Sequence, residues 1–129
     1  MTRKPLFILF FLGCLAVSAP LRAQTPAAAP AIGGGYLVTG TNPGNTGRYR
    51  GIATIVKEGD KYRVHWQVGT SYDGIGSLSG NTLTVEWGTA TQHVGTVTYT
   101  VQADGTLKGT WFVAKDPNKL GTETLVPRK

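Results

Sequence analysis

Cysteine is almost absent from this 129-residue chain, and the single one, Cys14, lies in the first apolar stretch. Downstream of it, a disulfide framework, a thiolate nucleophile and a thiolate metal site are all excluded. Histidine is nearly as scarce. His65 and His93 have no cysteine or carboxylate cluster at ligand spacing beside them, so both read as surface residues and no metal site is expected. Long apolar runs are missing too: the longest, Leu6 to Val17, falls short of the roughly 20 residues that a membrane-spanning helix requires. No helical period persists for ten residues, which removes helical folds. The serine-rich segment Gly76-Ser77-Leu78-Ser79-Gly80 places leucine where a hydrolase elbow needs its nucleophile.

What is present at the start is a leader. Arg3 and Lys4, the apolar run and the small residues from Ala19 to Ala23 predict a secretory signal peptide over residues 1–23, cleaved after Ala23. The protein is thus expected to be exported, periplasmic or secreted. Its mature chain of 106 residues is long enough for one domain and carries no stable membrane insertion. Cleavage removes Arg3, Lys4 and Arg22, so the formal charge falls from +6 to +3. That bias is too weak to imply a nucleic-acid partner. Residues 24–34 are mostly Pro, Ala and Gly and read as a flexible linker; Gly33 to Gly35 has neither the preceding strand nor the following lysine of a phosphate loop. Residues 35–127 form the domain.

There the signal is period-two alternation broken by turn residues. Tyr99 to Val101 and Leu107 to Trp111 flank Asp104-Gly105. A two-residue turn would set polar against apolar, whereas a three-residue loop, Ala103 to Gly105, pairs Val101 with Leu107, Tyr99 with Gly109 and Val97 with Trp111. A turn at Gly59-Asp60 opposes Ile55 with Val64 and Ala53 with Trp66; one at Gly80-Asn81 opposes Leu78 with Leu83 and Gly74 with Trp87. Tyr36 to Thr39 precedes these hairpins and Thr122 to Val126 follows them. Eight strands in a meander, with large residues set against Gly or Ala, predict an all-β fold: one small antiparallel barrel of avidin or lipocalin-like architecture, strand eight closing on strand one.

That topology puts the tight turns and both termini at one end. The connections Thr41 to Gly47, Thr70 to Asp73, Gly88 to Gln92 and Lys115 to Leu120 share the other end, where a binding site is expected. Its candidate residues are Asn42, Asn45, Tyr72, Asp73, Gln92, His93 and Asn118. Glu123 alternates in phase with Leu125 and is a candidate inward carboxylate, held by a Tyr hydroxyl or a Trp indole. Asp73 or Asp116 could approach it through the loops, but no acid pair is apparent in sequence, and neither enzymatic activity nor a cofactor is expected. The inward aromatics Tyr36, Tyr49, Tyr62, Trp66, Trp87, Tyr99 and Trp111 read as core filling, with a ligand cage as the alternative. Arg48, Arg50, Lys61 and Arg63 make a solvated outer strip.

Tyr36-x-Val38-x-Gly40-x-Asn42-Pro43, Tyr49-x-Gly51, Tyr62-x-Val64-x-Trp66, Asp104-Gly105-Thr106-Leu107-x-Gly109-x-Trp111 and Gly121-x-Glu123-x-Leu125 together resemble a family of small exported bacterial proteins catalogued as fibronectin-binding. The resemblance spans residues 35–127. It implies an exported barrel with an extracellular matrix protein as partner, and it carries over no catalytic residues. The alternatives are a periplasmic barrel binding a small ligand and a structural domain without one. Relatives with cysteines between the third and fourth strands differ from this chain. Gly109-Thr110-Trp111 also lies in the seventh strand, where the avidin and lipocalin barrels have a similar motif in the first.

Overall fold

The computed structural model describes residues 31–129, so the expected leader and most of the expected linker lie outside the described residues. Eight strands follow one another: β1 (Gly34–Thr41), β2 (Arg48–Glu58), β3 (Lys61–Gln67), β4 (Ser71–Ser79), β5 (Thr82–Thr89), β6 (Gln92–Val101), β7 (Leu107–Val113) and β8 (Asp116–Pro127). Each pairs antiparallel with the next, and β8 pairs antiparallel with β1, closing the barrel. Closure leaves no strand edge unpaired.

The registers follow the polarity of the faces. Ala53 stands opposite Trp66 and Ile55 opposite Val64; Gly74 opposes Trp87; Tyr99 opposes Gly109 and Val101 opposes Leu107. A slip by one residue would turn each apolar set into water. Gly59 and Gly80 have φ of 62° and 58°, while Asp60 and Asn81 stay at negative φ, the signature of type II′ turns. At the third hairpin Gly105 has φ 87°, and the Asp104 carboxylate accepts the Thr106 N–H at 2.9 Å.

The termini and these three turns share the closed end. Val38, Ile55, Val64, Leu83, Val85, Leu107 and Leu125 fill the interior with almost no exposure. Ile32, inside the stretch expected to be linker, is also buried in this core, and the Gly33 N–H donates to the Tyr36 hydroxyl at 2.9 Å. The chain therefore packs against the barrel before β1 begins.

The open end differs from the expectation of long loops. Gly88 to Gln92 contributes only a two-residue turn, because β5 continues to Thr89 and β6 starts at Gln92. A bulge between Trp87 and Gly88 leaves Val94 without a partner on β5, and that breaks the alternation. Lys115 to Gly121, expected as a turn, belongs largely to β8. Val113 pairs with Asp116 and Trp111 with Gly121, so Pro117 to Leu120 arch outward opposite Phe112 alone. Pro117 has no N–H to give a ladder and fits such an arch. Asn42 to Gly47, with a 3₁₀ turn at Pro43–Asn45, is the longest connection at this end.

Candidate functional site

Glu123 is the polar centre of the interior, 6% exposed. The barrel register explains how a carboxylate comes to be held there. Across β1, Glu123 faces Gly40, and Gly40 faces Tyr49 of β2; across β7, Glu123 faces Gly109, and Gly109 faces Tyr99 of β6. The row therefore reads Tyr49, Gly40, Glu123, Gly109, Tyr99 over five strands. Each glycine leaves the space through which a tyrosine leans: a Cβ on Gly109 would lie 2.9 Å from Tyr99 Cδ1, and one on Gly40 would collide with the Tyr49 ring.

Three donors converge on the carboxylate. The Tyr49 hydroxyl donates to Glu123 Oε1 at 2.9 Å, the Trp66 indole N–H donates to Oε2 at 3.1 Å, and the Tyr99 hydroxyl also donates to Oε2. Burial pushes the Glu123 carboxyl above its ordinary range, while the bonds from Tyr99, Tyr49 and Trp66 pull the other way. Burial and then the charge of Glu123 raise both tyrosines, so they remain protonated donors. Among the described residues, no fully buried side-chain polar atom lacks a partner.

Above this floor the barrel is not filled. A cavity of about 260 Å³ opens between Asn42, Tyr49, Trp66, Val68, Tyr72, Trp87, Val97, Trp111 and Glu123. Tyr36, Tyr62, Trp66 and Tyr99 are buried as the core reading expected, but Tyr49, Trp87 and Trp111 are only partly buried and form walls, together with Tyr72. The core-filling expectation is corrected for those three. Trp111 leans over Gly121, whose Cβ would fall 2.7 Å from Trp111 Cε2, and its indole N–H donates to the Thr122 carbonyl at 3.3 Å. Its ring is held in place by backbone.

Of the residues proposed from sequence, Asn42, Tyr72 and Glu123 line the cavity. The others do not. Asp73 points outward, 2.7 Å from His65 Nδ1, and His93 Nε2 lies 2.6 Å from Glu86 Oε2 on the outer wall. Gln92 starts β6 as an exposed residue, Asn45 is exposed in the 3₁₀ turn at φ 59°, and Asn118 is exposed on the arch of β8. Asp116 meets Lys119 at 3.6 Å instead of approaching Glu123. The outer basic strip is interrupted as well: Arg63 pairs with Glu58 at 3.0 Å, and Lys61 donates to Ser77 at 2.8 Å. Tyr49, Trp66, Trp87 and Trp111 line the cavity as the ligand-cage alternative had it, whereas Val68 and Val97 were not named; at Trp87 and Trp111 the signal was a large residue facing a glycine, Gly95 and Gly121.

The cup can therefore present aromatic surface and one carboxylate to a molecule entering from the open end. Its lining contains no Lys, Arg or His, and no group of three metal-ligating side chains occurs among the described residues. No protein-family model matches this chain, and no curated protein matches it either.

Proposed function

We propose that this protein is an exported, non-enzymatic barrel that binds a small ligand in the aromatic cup at its open end. The observation that carries the reading is the unfilled cavity over Glu123, an open-mouthed, largely apolar site with a few convergent polar groups. A melting-temperature screen against metabolites tests it, because a ligand at 100 times its dissociation constant stabilises by about 2.7 kcal/mol. Binding found in this way should weaken in Trp87→Ala and Tyr72→Ala and persist in Arg50→Ala and Arg63→Ala. The reverse pattern would move the site to the outer wall. Export is tested at the N-terminus: protein recovered outside the cytoplasm should begin at or near Gln24, and an intact Met1 in that material refutes the leader.

A second reading, adhesion to an extracellular matrix protein such as fibronectin, is favoured by the outer wall. Val126, Leu37 and Ile52 stand side by side across β8, β1 and β2 with exposures of 44%, 51% and 37%. An apolar row of this kind suits a protein partner. Leu37→Lys should abolish binding to immobilised fibronectin, and absence of binding by the unaltered protein removes the reading.

A further inference from the structure

The floor of the cup is a carboxylate with no cation beside it. Every group that touches Glu123, the hydroxyls of Tyr49 and Tyr99 and the indole of Trp66, is a donor, which suits the ionised form. A ligand seated above Glu123 removes water from its one open side. A neutral ligand leaves that desolvation uncompensated, whereas a cation offsets it.

The walls favour the same charge. Tyr72, Trp87, Trp111 and Tyr49 follow one another around the cavity, with ring centroids 5.3, 5.6 and 6.1 Å apart and planes inclined at 83°, 79° and 73°. Each ring is turned almost at right angles to the next, so together they bend around the space instead of stacking. Cations are attracted to the faces of such rings within about 6 Å. The carboxylate itself has room for a further partner. A carboxylate offers about four lone-pair positions; three are occupied, and the free one is on Oε1. Trp87 and Trp111 add no acceptor. Asn42 and Tyr72 add a side-chain carbonyl and a hydroxyl oxygen to the lining, so an ammonium that carries N–H groups also finds acceptors there.

We propose that the ligand of this cup is a small organic ammonium cation, held over Glu123 by the rings of Tyr72, Trp87, Trp111 and Tyr49. The inference rests on the small-ligand reading of the same cavity. At about 260 Å³ the cavity is smaller than the roughly 300 Å³ at which pockets for drug-sized molecules begin, which suits a headgroup-sized ion. Tyr49, Trp66 and Tyr99 are the side chains that donate to Glu123, and no Lys, Arg, His or second acid shares the lining. The ligand and a proton therefore compete for one carboxyl, and affinity should rise with pH through its elevated range.

Calorimetric and tryptophan-fluorescence titrations of the full chain with choline, tetramethylammonium, ethanolamine and the neutral carbon isostere of choline test the proposal. The three cations are expected to bind, choline about tenfold more tightly than its neutral isostere. Glu123→Gln should reduce the preference over the isostere, leaving the part due to the rings, and should remove the pH dependence. Should that variant fail to fold, Trp87→Leu is expected to weaken choline binding more than binding of the isostere. Equal affinity for choline and its isostere overturns the cation inference while leaving a ligand cup in place. Failure of all three cations to bind also overturns it, and the metabolite screen then decides the cup separately.

Discussion

Replacing Glu123 with leucine is the most direct perturbation of the interior. The substitution removes the acceptor from three donors. Tyr49 has a second acceptor nearby, the Thr122 carbonyl at 3.4 Å, and its partial exposure admits water, so its loss is small. Tyr99 and Trp66 are 0% and 4% exposed, and of the two only Trp66 borders the cavity. An orphaned buried donor costs about 1–3 kcal/mol, so the pair predicts a loss of about 2–6 kcal/mol, reduced by whatever the desolvated carboxylate itself cost. For a domain of this size each kcal/mol shifts the melting temperature by about 4–8 °C. Urea denaturation followed by tryptophan fluorescence reads the difference. A double variant supplies the check: Glu123→Leu with Tyr99→Phe deletes one orphan along with its acceptor and should be more stable than Glu123→Leu alone. If Glu123→Leu is neutral, or if the double variant is the sum of the two single ones, the carboxylate is not what holds those donors.

Gly109→Ala drives a methyl group into the Thr98 carbonyl and to 2.9 Å from Tyr99 Cδ1 and should lower stability by about 1–3 kcal/mol in the same urea assay; a neutral result would mean that β6 and Tyr99 do not need that space. Ala53→Leu overpacks the wall against Trp66 and Tyr36 at similar cost, whereas Thr54→Val on the exposed face should change the melting temperature little; equal effects would contradict the register. The last prediction concerns pH. Because the folded-state carboxyl of Glu123 is raised, the folded chain keeps a proton that the unfolded chain has already lost. That contribution is fully present below the ordinary carboxylate value of about 4.3 and fades as pH rises through the elevated one. The stability of the unaltered protein relative to Glu123→Gln should therefore decline across that window, and a flat difference would refute the shift.

The hairpins were legible because a tight turn fixes its own register: once Gly59-Asp60 is a two-residue turn, Ala53 must meet Trp66. The same logic stops at connections without a tight turn. Nothing in Asn42 to Gly47 fixes β1 against β2, and the arch Pro117 to Leu120 hides the pairing of β7 with β8 behind turn residues. Those two registers, with the pairing of β8 on β1 that closes the barrel, align Tyr49, Gly40, Glu123 and Gly109 in one row. Alternation could place Glu123 inward but could not say which tyrosines it would meet. Ile32 was hidden for a different reason, since one apolar residue among Pro, Ala and Gly has no period to reveal it.

Alternation also reports which side of the wall a residue faces but not its height along the barrel axis, which depends on strand stagger. Tyr36 and Trp111 look equivalent in sequence, yet one is buried in the core and the other walls the mouth. The polar candidates failed in a way that parity explains: with Tyr72 inward, Asp73 must point out, and there it finds His65 on the neighbouring strand. Glu86 likewise takes His93 and Thr96 as cross-strand partners on the outer face. Pairing on the outside thus removes the histidines and most of the carboxylates from the mouth. What remains there is mostly aromatic, so on the proposed small-ligand reading discrimination falls chiefly to the carboxylate on the floor, and a change at Glu123 should alter which molecules bind more than a change at any exposed loop residue.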